Sequence, residues 1–449
     1  MAANNKSWSE LSVDERGELR IANWLNPAGV EFASAAAEAD YKARVTRLVD
    51  AVQLKKTPDR VPVLTKLGFY PGLRAGLTPY DAMTDTARAA QAWADYTLDL
   101  QPDGLVSPLH NTIPAKAFEL VDYRLYHWPG HGVDKDQGYQ YNEAEFMLPE
   151  EYDLLIDDPS DFFWRVYLPR IAGAYHGFSK LSVPYDMVEL PFSSLSMGPW
   201  GMPEVRDSFE KLAAAGKEIG EWAGIVFPVI GRLIAAGFPD YWGMATKAPL
   251  DFIGDSLRGT RGIMLDMFRE PEKLLTACDR LAPLMVKWAA GHTTLDSPPG
   301  IFIPLHKGAD GFMSDEQFHT FYWPSLRKVL LGLIDEGFIP WLFAEGRYGS
   351  RLEAIMDLPK GKTVWMFDQT DMARAKETIG QVACIQGNVP LSLMHAGTVE
   401  QIRDYCRNLI DTAGKGGGFI LDVGAVLEST TDDALRAMIQ TAKEYGVYA

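Results

Sequence analysis

Cysteine is scarce. Three residues, Cys278, Cys384 and Cys406, are spread over 449 positions. An odd, sparse set cannot make a disulfide framework, so a reducing, cytoplasmic setting is expected. Positive charge is also short: 43 Lys and Arg stand against 60 Asp and Glu, a formal net charge of −17. No dense basic run is present, which argues against nucleic acid as a partner. Long apolar runs are missing too. The longest, from Trp222 to Phe238, is broken by Pro228 and Arg232, so no membrane span and no membrane partner are expected. The first twenty residues are polar and lack an apolar signal core, and Ser12 and Glu15 have capping-box spacing.

The sequence is rich in alternation. Residues 1–50 read as a helical N-terminal extension and 51–449 as one large domain. Val61–Leu64 is an apolar, β-branched run and the first strand candidate. A helix is expected from Thr78 to Leu100, with Thr78-Pro79 as its N-cap and first residue. LQPDGLVSPLHN, closing at His110, is the second strand candidate. Residues of about 120–165 carry many aromatics and little periodicity. They read as an insertion, either a lid or pocket wall over an active site or a surface excursion packed on itself. In the second half, five short apolar runs alternate with helical stretches: GIFIPLH, FIPWLFAE, KTVWMFDQ, VACIQGNV and GGFILDV. Such alternation implies a parallel sheet. A (β/α)8 barrel of the TIM type fits best. A doubly wound sheet is the alternative, but no Gly-rich phosphate loop follows the first strand.

In a barrel of this kind, polar residues closing each strand face the active site. Here they are His110, His306, Glu345, Asp368 with Gln369, Gln386 with Asn388, and Asp422. Glu345 crowns an apolar run and needs a cation, a metal or a substrate as partner. His306, Glu345 and Cys384 could hold zinc, which accepts N, O and S ligands. The plainer readings are a hydrogen-bonded structural histidine and a cysteine acting as a small core residue. Phe69, Tyr70, Trp200 and Trp341 could form apolar substrate walls or simply core.

Five segments together resemble the uroporphyrinogen decarboxylase superfamily: DRVPV at 59–63, DFIGDSLRGTRGIMLDMFREPEKL at 251–274, GFMSDEQFHTFYWPSLRKVL at 311–330, GNVP at 387–390, and GGFILDVGAVLESTTDDALRAMIQTAKEYG at 417–446. The resemblance spans roughly residues 50–449 and implies the barrel fold. The superfamily holds decarboxylases and zinc-dependent, corrinoid-linked methyltransferases. The decarboxylases carry an Arg-rich stretch after the first strand, where this chain has KLGFYPGLRAG with Arg74 alone. The coenzyme M-type methyltransferases place a His-x-Cys at the position of Phe343 and Glu345, and a late Cys at Ala425.

What remains resembles the branch that demethylates methoxylated aromatics. That implies a methyltransferase moving a methyl group from a small-molecule methyl donor to a corrinoid (cobalamin) protein, with zinc as Lewis acid. Glu345, Asp368 and Asp422 are then the catalytic candidates. His110, Phe69, Tyr70, Trp200, Trp341 and Gln386 line the substrate. His306, Glu345 and Cys384 hold the metal. The corrinoid would come from a partner protein, since the nearest approach to its binding motif, His127 to Gly130, has Leu125 in place of the required Asp. A homodimer is compatible with this reading. The alternatives are a metal-free decarboxylase or lyase on the same barrel, and a non-catalytic accessory protein.

Overall fold

The computed structural model describes residues 6–448; of the N-terminal extension, residues 1–5 lie outside them. Three short strands, β1 (Tyr126–Pro129), β2 (Gly132–Val133) and β3 (Gln140–Tyr141), form a small sheet of their own. Six more, β4 (Trp242–Ala245), β5 (Gly300–Leu305), β6 (Ile339–Ala344), β7 (Val364–Phe367), β8 (Cys384–Val389) and β9 (Phe419–Val423), lie side by side in sequence order, and every pairing is parallel.

The backbone closes this sheet into a ring. The Leu64 N–H donates to the Leu421 carbonyl at 3.0 Å, and the Leu421 N–H to that of Pro62 at 2.9 Å. The Asp103 N–H reaches the Val63 carbonyl and the Leu105 N–H that of Pro239, each at 2.9 Å. Residues 61–67 and 103–106 are thus two irregular staves between β9 and β4, and the architecture is an α/β barrel of the (β/α)8 type. Alternation along each strand sorts the side chains. Leu64, Trp341, Phe343, Met366, Cys384 and Ile420 share the interior cluster. Val63, Ile303, Leu342, Phe367, Ile385 and Leu421 pack outward against the helices.

Proline, glycine and capping residues set the element ends. The expected helix over 78–100 is two helices, Pro79–Thr84 and Thr86–Leu100, because Asp85 ends the first and caps the second. Thr78 and Ser12 form the capping boxes their spacing implies. The DRVPV segment clasps the base of the barrel: the fully buried Asp103 accepts hydrogen bonds from Arg47, Arg60 and the Val63 N–H, all within 2.8 Å. A 33-residue helix, Pro203–Ala235, carries the long apolar run with Pro228 inside it. Among the described residues no helix is long and apolar enough to cross a membrane.

The aromatic-rich stretch after residue 120 is bolted to the strand ends. The Tyr139 hydroxyl donates to the His110 carbonyl at 2.8 Å, and its ring meets Phe69 edge-on at 5.1 Å. The Tyr141 hydroxyl donates to the Asp255 carbonyl. Buried Arg258 joins Asp266 at 2.6 Å and also holds Glu145 and the Met147 carbonyl.

Candidate active site at the strand ends

His306 follows β5, Glu345 follows β6, Asp368 follows β7, and Asp422 stands near the end of β9. The barrel brings these four to one mouth. His306 Nε2 lies 3.6 Å from Glu345 Oε2, and its Nδ1 lies 2.6 Å from Asp255 Oδ2. Asp255 also takes Lys247 Nζ at 2.7 Å and Lys307 Nζ at 3.3 Å. Asp251, one helical turn earlier and fully buried, fixes the backbone after β5. It accepts the Lys307 N–H at 2.7 Å, the His306 N–H at 3.1 Å and the Tyr322 hydroxyl at 2.6 Å. Burial opposes a proton on His306, yet the contact with Asp255 and the charges of Asp255 and Asp251 carry its pKa above the ordinary histidine value. For Asp255 burial is likewise outweighed, by His306 and Lys247, which hold its carboxyl well below the usual range.

The second feature of the mouth is Lys66, on the stave 61–67. Its Nζ is buried, has no hydrogen-bond partner, and lies 2.7 Å from the centre of the Phe343 ring. Burial pulls its pKa down to about 7, against the charges of Asp422, Glu345 and Asp368. Asp422 is buried beside it. It accepts the Lys66 N–H at 3.1 Å and Gln386 Nε2 at 2.7 Å, and burial raises its pKa although Lys66 counters this. Asn388 gives its amide to the carbonyls of Asp368 and Thr370 at 3.0 and 2.8 Å, leaving its buried Oδ1 unpartnered. A cavity of about 750 Å³ reaches this layer, lined by Asp368, Asn388 and Ala425 and by the loops and helices after β7 and β8.

The remaining candidates fall elsewhere. Cys384 is the first residue of β8, at the opposite end of the strand from Asn388 and about 13 Å of chain below it. It is fully buried in the interior cluster and cannot join His306 and Glu345 around one ion. The expected zinc set therefore does not assemble. Among the described residues no group of three or more His, Cys, Asp and Glu is placed to hold a metal.

Trp341 and Gln386 lie deeper than the mouth, fully buried. Trp341 Nε1 donates to Gln386 Oε1 at 2.7 Å, so the pair supports Asp422 from below. Tyr70 turns outward to Asp432 at 2.9 Å. Trp200 stacks on Phe209 at 5.6 Å, on the turn before the long helix, half exposed. Phe69 packs against the Tyr139 ring, and His110 takes the Tyr139 hydroxyl on its backbone carbonyl while the residue itself is exposed.

Lys66, Asp251 and Asp255 were not legible as site residues. The signal for Lys66 is its phase: it follows inward-facing Leu64 by two, at the level where other strands carry Glu345, Asp368 and Asp422. The signal for Asp251 and Asp255 is their spacing of four in the helical turn just after β4. That turn is π-helical over Phe252–Leu257, a local geometry frequent at functional sites.

The fold and the mouth define a (β/α)8-type barrel with an acid–base cluster at its strand ends. Residues 246–445 match the family model described as "Uroporphyrinogen decarboxylase (URO-D)", and this part of the chain is homologous to that family. Curated relatives include the uroporphyrinogen decarboxylases of Psychromonas ingrahamii, 28% identical over 201 residues, and of Cellvibrio japonicus, 25% identical over 199 residues. These matches cover 44% and 43% of this chain and 53% of each relative, so it spans about half the length of the curated relatives it matches. Among solved structures, a methyltransferase from Methanosarcina mazei matches with a TM-score of 0.54 at 14% identity, over 89% of this chain and 98% of that one. That likeness is one of fold.

Proposed function

We propose that the chain is a metal-independent lyase of decarboxylase type, acting on a small organic acid at the mouth of the barrel. One observation carries this reading: the cation placed among the strand-end carboxylates is the buried, unpartnered ammonium of Lys66. Loss of CO2 leaves an electron pair on carbon, and a preorganised cation in a dry site stabilises that charge far better than water does. Asp422, Asp368 and Glu345 share the neighbourhood of Lys66, and the Gln386–Trp341 pair holds Asp422 in place. A proton must then reach the carbon. His306, whose proton affinity Asp255 raises against the effect of burial and which stands beside the half-exposed Glu345, is suited to supply it. The test is release of labelled CO2 from carboxyl-labelled oxo acids and aromatic acids by protein freed of metal. Release by wild type and its loss in Lys66→Met support the reading, whereas no release from any acid in the panel counts against it.

A second reading is methyl transfer from a methoxylated substrate to a corrinoid protein, with zinc between His306 and Glu345. Their 3.6 Å separation favours it, and the remoteness of Cys384 leaves it one protein ligand short. Stoichiometric zinc in protein purified without chelator, together with methyl transfer to an added corrinoid protein, would select it.

A further inference from the structure

Lys66 differs from Lys247 and Lys307, the lysines beside His306. Lys247 and Lys307 are engaged by Asp255, and Lys307 also donates to Thr260 at 2.7 Å. Lys66 Nζ makes no hydrogen bond and rests against the Phe343 ring. Carboxylates from three elements influence it, Asp422 on β9, Asp368 after β7 and Glu345 after β6. Close by, on the strand paired with β9 at Asp422, the Oδ1 of Asn388 is also buried without a partner. A donor and an acceptor left unsatisfied at one level of a barrel are costly unless a ligand completes them. A desolvated, unpaired amine held near neutrality is the form in which lysine acts as a nucleophile.

We infer that Lys66 forms an imine with the ketone of a 3-oxo acid, and that the imine is the electron sink for decarboxylation. This rests on the lyase reading above and names its substrate class. The free amine adds to the carbonyl carbon. The carbinolamine loses water, the carbonyl oxygen leaving with a proton from a neighbouring acid, and an iminium results. The C–CO2 bond then breaks, its electron pair moving through the α-carbon to the iminium nitrogen, and CO2 departs. The enamine takes a proton at carbon, and water adds to the imine to return the ketone and the free amine. The sequence is redox-neutral and needs no further reactant.

The test uses the full chain with acetoacetate as probe, quenched with sodium borohydride and read by intact mass and peptide mapping. The expected result is one reduced isopropyl adduct per chain, on Lys66, at the expense of activity. Borohydride without acetoacetate should leave activity intact. Lys66→Arg keeps the charge and removes the nucleophile, so it should lose both adduct and CO2 release while melting as a folded protein. Because trapping on wild type is read directly, the proposal does not depend on that variant folding. CO2 release with no adduct at Lys66 overturns the imine and leaves the lyase standing. Absence of both CO2 release and adduct with acetoacetate overturns the imine, and a lack of release from every other acid of the panel overturns the lyase as well.

Discussion

The barrel has two unequal parts. From β4 to β9 the strands are regular, in register and sequential, and the matched family region begins just after β4. The staves 61–67 and 103–106 are held by scattered backbone bonds and by the carboxylates of Asp103 and Asp422, and the 33-residue helix and the aromatic sheet intervene before β4. The regular part supplies the acids, His306, Glu345, Asp368 and Asp422. The irregular part supplies Lys66 and the aromatic stretch that bonds the carbonyls of His110 and Asp255. Homology thus accompanies the scaffold and its acids, while the group that singles out this site comes from the stave outside the matched region.

Removing the contribution of the irregular stave should have the largest effect. Lys66→Met should lower kcat by about 10²–10⁴-fold, the range for a positioned acid–base or nucleophilic group. A loss of twofold or less would place the chemistry wholly in the regular part. The counterpart in the regular part is Asp255→Asn. It leaves His306 without its anionic partner and lets the imidazole turn, costing on the order of 10²-fold in kcat/KM. The imidazole pKa should also fall, seen by NMR titration.

The same lysine predicts a pH effect on stability. Its folded pKa, about 7, lies below that of the unfolded chain. Above about 7 the unfolded state therefore binds the extra proton, and the folded protein gains stability as pH rises toward the ordinary lysine value. Below about 7 the buried ammonium persists as a cost. In denaturant titrations Lys66→Met should thus exceed wild type in stability most at pH 6, and the gap should narrow by pH 9. A constant gap would mean that Lys66 keeps its charge throughout.

Much of the regular part was legible in the sequence because its strands are short apolar runs closed by one polar residue. Alternation then places His306, Glu345, Asp368 and Asp422 together without further information. Depth along a strand was not legible. Cys384 and Asn388 lie on the same strand and the same inward face, and only the register of β8 puts one at the floor and the other at the mouth. Trp341 and Gln386 were misplaced for the same reason, by two layers and by one. Lys66 stayed hidden because a lysine ends an apolar run at many surface positions, and nothing local marks this one as buried. The aromatic insertion has no period to read, since long-range bonds such as Tyr139 to His110 and Tyr141 to Asp255 fix its place.

Two further substitutions should have smaller effects. Tyr139→Phe removes one hydrogen bond between the aromatic stretch and the His110 carbonyl, worth about 1 kcal/mol. It should raise KM by less than tenfold and leave kcat unchanged. Cys384→Ala trims the floor of the barrel and should cost about 1 kcal/mol in stability with no change in activity or metal content. Loss of activity there would place the chemistry at the wrong end.

The most direct test of the central claim is the rate of labelled CO2 release before and after exhaustive chelation, with metal content measured on the same samples. With Lys66 as the cation of the site, the rate is unchanged by chelation and by added zinc. A rate that vanishes with the metal and returns in proportion to restored zinc would contradict the account.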